Sequence, residues 1–189
     1  MKKKIVLAIS IGFILVNIGV GIFLTIRKIS KTSYITYTNT EFKLSFSYPE
    51  NFKETPLTET QNKENFLFRA VSTKPNSLLS LRYEKGLGVL KVTGGTILDA
   101  LITNVNRRYP ERFPEFKKTK FEEKAIGNEK SAVFEFTYLG TDKKTRMKQR
   151  LNIIVKDNNA YYLSFQSPEI EFEKYIQELD KIDASFSFL

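Results

Sequence analysis

SAVFEFTYLGTDKKTRMKQRLNIIVKD, residues 131–157, holds two runs of alternating character around a polar break. Val133, Phe134, Phe136, Tyr138 and Leu139 in the first run face Met147, Leu151, Ile153, Ile154 and Val155 in the second, and GTDK between them is turn-forming, so the stretch predicts an antiparallel hairpin. Pairing across a turn at Gly140 to Lys143 sets Leu139 opposite Lys144, Thr137 opposite Arg146, Glu135 opposite Lys148 and Val133 opposite Arg150. Side chains alternate between the faces of a strand, so this register gathers Phe134, Phe136, Tyr138 and Met147 on one side. The other side carries Lys144, Arg146, Lys148 and Arg150, spaced about 7 Å apart at twice the strand rise. Of the acids in the hairpin only Glu135 stands opposite them. Two readings follow: a solvated strand whose charges protect an edge, or a docking surface for an anionic lipid, a wall polymer or an acidic protein.

Working outward, AYYLSFQ after DNN continues the meander, and FKKTKFEEKAIG precedes it. Upstream, Phe42, Leu44, Phe46 and Tyr48 alternate with polar residues until Pro49, and FLFRAVS from Phe66 and LLSLRYE from Leu78 flank the turn KPNS. GGTILDALITNVNRRYP reads as a helix: Thr96 and Asp99 form a capping box, Ile97, Leu98, Leu101, Ile102 and Val105 recur at helical spacing, and Pro110 is expected to close it. Gly94 and Gly95 lack the spacing of a phosphate loop and read as a turn. A second helix is expected from Ser167-Pro168, with Ile170, Tyr175, Ile176, Leu179 and Ile182 on its apolar side and ASFSFL as a terminal strand. Strands, helix, meander, helix and strand make an α+β domain built on an antiparallel sheet.

The 189 residues include 30 Lys plus Arg against 21 Asp plus Glu, with neither histidine nor cysteine. That excludes Ser-His-Asp and Cys-His relays, imidazole and thiolate metal sites, and disulfides. Glu122 and Glu123 are adjacent, so on a strand they face opposite ways and do not form an acid/base pair. Asp157, Asn158 and Asn159 read as a hairpin turn and lack the calcium-loop pattern. No catalytic residue, cofactor or metal ligand is assigned.

Residues 5–26 are uncharged and mostly apolar, between Lys2, Lys3 and Lys4 and Arg27, Lys28 and Lys31. As a helix this run covers about 33 Å, enough for the ~30 Å hydrocarbon layer, and it exceeds the ~7–15 residues of a cleaved signal's apolar region. The expected organisation is a short cytoplasmic tail (1–4), a transmembrane anchor (5–26), a juxtamembrane linker (27–40) and a domain (41–189) outside the cytoplasmic membrane. Asn17 is a candidate contact for a partner helix within the membrane. Setting aside the cations at 2, 3, 4, 27 and 28 leaves 25 against 21 acids, a net of +4, so much of the basicity belongs to the anchor. Arg107, Arg108, Arg112, Lys117, Lys118 and Lys120, interleaved with Tyr109, Phe113 and Phe116, form an auxiliary basic cluster. Its aromatics read as core, and nucleic acid is set aside as the partner of an external domain.

EFKLSFSYPENFKE (41–54), GNEKSAVFEFTY (127–138) and NNAYYLSFQSPEIEFEKYIQELDKIDASFSF (158–188) resemble, in that order, the opening strand, middle and ending of PsbP-like domains. The resemblance covers nearly all of residues 41–188. It implies an antiparallel sheet covered by helices on both faces and a non-enzymatic docking role. It does not imply photosynthesis, and without histidine the family's metal association is not carried to any residue. The function expected is thus a membrane-anchored binding or accessory module. Its alternatives are a carboxylate-based envelope hydrolase or transferase and a structural membrane-assembly protein.

Overall fold

The computed structural model describes residues 32–90 and 95–189. The expected anchor and Asn17 lie outside the described residues. Tyr34–Leu189 form one compact unit, containing β1 (Tyr34–Asn39), β2 (Leu44–Pro49), β3 (Lys53–Glu54), α1 (Glu59–Lys63), β4 (Phe66–Thr73) and β5 (Asn76–Glu84). A 3-10 turn (Leu87–Leu90) leads towards α2 (Ile97–Arg112), β6 (Lys117–Ile126), β7 (Glu129–Leu139), β8 (Arg146–Lys156) and β9 (Asn159–Pro168). The chain closes with α3 (Glu169–Phe172), a 3-10 turn (Glu173–Tyr175), α4 (Ile176–Ser185) and β10 (Ser187–Phe188).

Seven strands form one antiparallel sheet in the order β3-β4-β5-β9-β8-β7-β6, and β1-β2-β10 form a second, smaller one. The large sheet carries a packed layer on each face. On one, α2 lays Ile97, Leu98, Leu101 and Val105 over Ala132, Phe134 and Phe136 of β7 and Leu151 and Ile153 of β8. On the other, Leu44, Phe46 and Tyr48 of β2 join Phe172, Tyr175, Leu179, Ile182 and Phe186 of the C-terminal segment against Leu79, Leu81, Leu163 and Phe165. Helices therefore lie on both faces, with the small sheet sharing one of them.

Several sequence expectations are corrected. The segment assigned to a linker contributes β1, whose Tyr37 packs 5.3 Å from Phe46 and 4.7 Å from Phe68. The helix expected to end at Pro110 runs to Arg112. Its last turn survives because Tyr109 and Phe113 both pack 5.4 Å from Phe136, and the Phe113 N–H donates to the Tyr109 carbonyl at 2.9 Å. Ser167 does not cap the second helix; it is a buried residue of β9 opposite Lys148. The helix is broken into α3, a 3-10 turn and α4, and the break turns Phe172 inward while leaving Ile170 85% exposed.

The β7–β8 hairpin has its predicted faces but not its predicted register. Leu139 pairs with Arg146, Thr137 with Lys148, Glu135 with Arg150 and Val133 with Asn152. The slip is two residues, an even number, so every side chain keeps its side of the sheet. The cause is Asp142. Its carboxylate accepts hydrogen bonds from the Thr145 hydroxyl (2.6 Å) and from the Thr145 and Lys144 N–H groups (2.9 and 3.0 Å). The Gly140 N–H donates to the Thr145 carbonyl at 2.8 Å, enlarging the turn so that Lys144 belongs to it rather than to the ladder.

Two measurements check these contacts. The Thr145 hydroxyl and the two N–H groups hold the Asp142 carboxyl at about 2, below its ordinary 3.8. A depressed carboxyl pKa stabilises the fold above the unfolded value and loses that contribution as pH falls through the folded one. The Lys144 and Thr145 amide resonances are therefore expected to titrate near pH 2, and a midpoint near 4 would show that the Asp142 turn does not form. Phe136 is fully buried at the aromatic end of α2, and Phe136→Ala is expected to cost about 3–5 kcal/mol in urea unfolding.

Candidate binding groove

The basic row of β8 is not one exposed surface. Arg150 is 4% exposed and donates from Nε and Nη2 to one Glu135 oxygen (3.0 and 2.8 Å) and from Nη1 to Asp180 (2.9 Å), with Asp183 at 3.8 Å. Lys148 lies 3.2 Å from Glu135, donates to Glu173 at 2.8 Å and sits 4.4 Å from the centre of the Phe172 ring. Arg146 pairs with Glu115 and approaches Glu169 at 3.9 Å, and Lys144 is exposed in the turn. Glu135 is one of six acids around the row. The others come from the C-terminal segment and from the loop after α2, far away in sequence.

The network contains two buried carboxylates. Burial pushes the Asp183 carboxyl up, against the pull of Lys124, Arg150 and the Asn152 amide. Burial alone would lower the Lys148 ammonium, and Glu173 and Glu135 more than offset it. The cavity beside Arg150 and Asp183 is about 10 Å³, too small for a substrate. Among the described residues no group of three or more acids is placed to hold a metal ion.

An open site lies on the opposite face, beside α2. The apolar stripe of α2 covers the β7–β8 half of the sheet. In the same cross-strand rows, the β4–β5–β9 half is mixed, with polar residues in the middle and Phe66, Val71 and Leu78 towards its β4–β5 edge. Arg69, Ser80 and Ser164 lie in the row of Leu151 and Phe134; Gln166 and Gln149 lie in the row of Phe136; Arg82 and Tyr162 lie in the row of Ile153. No described helix covers them. Two adjoining hollows result, of about 810 and 680 Å³, sharing Arg82, Tyr109, Arg112 and Tyr162 as common wall.

The groove's walls carry Lys63, Arg69, Arg82, Arg107, Arg108 and Arg112 against Glu64, Glu84 and Glu111. None of those five arginines forms an ion pair among the described residues. Residues 1–31 and 91–94 contain no acid that could supply one. Arg82 lies over the Tyr162 ring, 4.6 Å from its centre, and the Tyr162 hydroxyl donates to Glu84 at 2.7 Å. Burial raises the Tyr162 phenol, and the Glu84 bond raises it further. Burial also raises Tyr109, with the charges of Arg82 and Arg112 acting the other way. On the floor, Gln149 Nε2 donates to Ser164 Oγ at 2.7 Å and the Tyr138 hydroxyl donates to Gln166 Oε1 at 2.9 Å. Both glutamines line the groove, and neither the Gln166 amide nitrogen nor the Gln149 side-chain carbonyl takes part in another side-chain hydrogen bond among the described residues.

The auxiliary basic cluster is therefore two groups. Arg107, Arg108 and Arg112 line the groove, whereas Lys117, Lys118 and Lys120 lie on β6, beyond the other flank of α2. Lys118 donates to Asn106 at 2.9 Å and Lys120 pairs with Glu122 at 3.0 Å. Tyr109, Phe113 and Phe116 surround Phe136 as core. At the other end of α2, Thr96 and Asp99 satisfy each other's N–H groups, so the protein's own carboxylate occupies the helix terminus. Asp157 and Asn158 form the β8–β9 turn with φ of 49° and 61°, as the sequence suggests.

No family model matches the chain, and no curated protein does. Solved structures do, and together with the two-sheet α+β architecture they define a PsbP-like fold. Cyanobacterial PsbP (CyanoP) from Synechocystis sp. PCC 6803 aligns with a TM-score of 0.60 at 11% identity, over 86% of this chain and 96% of its own. The Ran-binding protein Mog1p of Saccharomyces cerevisiae aligns at 0.57 and 8% identity, over 84% and 96%. LpqN, involved in cell envelope biogenesis of Mycobacterium tuberculosis, aligns at 0.53 and 12% identity, over 85% and 86%.

Arg150 gives a direct test of the buried network. Arg150→Met leaves buried Glu135 with Lys148 as its one remaining cation and Asp183 with Lys124, and is expected to cost about 3 kcal/mol of stability in chemical denaturation, the low end for breaking a buried ion pair. Adding Glu135→Gln should recover part of that loss, and strict additivity of the two substitutions would argue against the coupling.

Proposed function

We propose that this chain is a membrane-anchored extracytoplasmic binding or accessory module, whose working surface is the arginine-lined groove beside α2. The observation that carries the reading is the set of arginines in a concave, polar recess without carboxylate partners among the described residues. Uncompensated guanidinium groups gathered in a hollow raise the local concentration of anions and are ready-made for bidentate contacts. Residues 5–26 act as the anchor, the lysines at positions 2–4 stay in the cytoplasm and the domain faces outward. The PsbP-like fold supports a docking role, since the neighbours sharing it include a Ran-binding protein and one involved in cell envelope biogenesis. Lys144 and Arg146, the exposed end of the β8 row, lie outside this groove and serve at most as an accessory contact.

A non-enzymatic role is favoured over a carboxylate-based hydrolase or transferase. The buried carboxylates Glu135 and Asp183 are tied to Arg150 beside a cavity of about 10 Å³, whereas the spacious groove carries mainly cations.

The full chain in detergent micelles, tested with heparin as a generic polyanion, separates the two basic surfaces. Binding should weaken steeply with salt. Arg69→Gln/Arg82→Gln/Arg112→Gln should lower affinity about a hundredfold, or roughly 2.7 kcal/mol, and Lys144→Gln/Arg146→Gln should change it little. The reverse ranking would place the polyanion contact at the β8 turn.

A further inference from the structure

The groove's composition narrows the kind of anion. We infer that it takes a polyhydroxylated polyanion: a glycan or polyol chain carrying phosphate or carboxylate along its length. This inference rests on the groove being the binding surface proposed above.

The first observation is length. The two hollows share one wall and continue from the flank of α2 across β9 and β5 towards α1, which suits a chain better than a compact solute. The second is the distribution of charge. Arg69 on β4 and Arg82 on β5 are diagonal neighbours, since Arg69 pairs with Ser80, two residues before Arg82. Such positions stand about 7–8 Å apart at the backbone, while Arg112 comes from the opposite wall. Cations set apart along a cleft match charge repeated along a ligand, whereas a single anion would need them converging.

The third observation is the floor. Ser80, Ser164, Gln149 and Gln166 line the groove beside the arginines, and the bonds from Gln149 to Ser164 and from Tyr138 to Gln166 leave one amide nitrogen and one amide carbonyl without another side-chain partner among the described residues. Hydroxyls and primary amides both donate and accept, which matches sugar or polyol hydroxyls. The Tyr162 ring is already covered by Arg82. An acidic protein partner would be expected to meet apolar anchors at the centre of its interface. The exposed large hydrophobics among the described residues, Ile35, Phe121, Ile170 and Leu189, all lie elsewhere, and the apolar residues that line the groove, Phe66, Leu78, Phe113 and Leu151, are half-buried or buried.

The test uses the full chain in micelles, with four probes at one salt concentration: a glycerol-phosphate oligomer, an oligogalacturonate, polyglutamate and glycerophosphoglycerol, the soluble headgroup of phosphatidylglycerol. Either hydroxylated oligomer should bind at least about tenfold more tightly than polyglutamate, and the stronger of the two identifies phosphate or carboxylate as the charge. Gln166→Leu and, separately, Ser80→Ala should each reduce that preference about threefold or more while leaving polyglutamate affinity unchanged; Ser80→Ala should keep the melting temperature, whereas Gln166→Leu should lower it somewhat by removing the acceptor of the Tyr138 hydroxyl. The arginine triple variant should lose all anionic probes together. Equal affinity for polyglutamate, untouched by the floor variants, would overturn the inference in favour of acidic proteins. Binding to glycerophosphoglycerol alone would overturn it in favour of lipid headgroups. If neither heparin nor any of these probes binds, the groove itself is not an anion site, and the failure belongs to the proposed function.

Discussion

Arg150 is the residue on which the arrangement of the C-terminal segment turns. It projects from the middle of β8 into a space covered by α4 and is held there by Glu135 on the neighbouring strand and by Asp180 and Asp183 on the helix. A guanidinium removed from water loses several kilocalories of hydration, which only close carboxylates and completed hydrogen bonds can offset. The ion pairs are therefore directional constraints as much as a source of stability. Asp183 also accepts from Asn152 and Lys124, so one turn of α4 is fixed to β8 and β6 at once. With α4 placed, Leu179 and Ile182 fall into the apolar core and Phe186 reaches Phe46 and Phe188. β10 then closes the small sheet against β2.

The other face of the large sheet is organised by an unequal division. Phe134, Phe136, Leu151 and Ile153 supply an apolar platform centred on two strands, reaching β9 at Ala160 and Tyr162, about the width that one amphipathic helix can cover, and α2 takes it. The rows then cross to β9 and β5, where serine, glutamine and arginine need no cover because water satisfies them. The groove is a consequence of where the apolar residues stop. Its shape comes from the flank of α2 standing above an uncovered polar sheet, with α1 and its Lys63 at the far side.

These features differ in how far the sequence reveals them. The hairpin's faces were legible because alternation with period two survives any even slip, so the error at Asp142 did not move a single side chain to the wrong side. The loop length was not, since it depends on one carboxylate bonding to residues two and three positions ahead. Strands with strong alternation and the capped start of α2 were readable for the same local reason. The end of α2 was misread because aromatic packing on Phe136 overrides the local penalty of Pro110. Ile170 was misread because a periodicity drawn through a broken helix fails beyond the break. The carboxylates around Arg150 lie 15 to 33 residues from it in sequence, so a count of charges within the hairpin saw only Glu135. The groove was half visible: Arg107, Arg108 and Arg112 stood out as a cluster, whereas Arg69, Arg82, Gln149 and Gln166 are single polar residues on separate strands. Only the strand order brings them together.

The contrast between Arg150 and the groove arginines separates structure from function in this protein. Arg150 is buried, and its surroundings supply carboxylates for it, as desolvation requires. Arg69 and Arg82 are only half-buried, and no carboxylate among the described residues neutralises them. Water can hydrate a half-buried guanidinium, so the fold tolerates the absence of a partner, but it gains nothing from placing like charges side by side. Mutual repulsion between arginines in one recess is a small cost to the folded state. A ligand that brings negative charge removes that repulsion, so part of its binding free energy is stored in the unliganded domain. The same residue type thus holds the fold together where acids meet it, and leaves a site open where they do not.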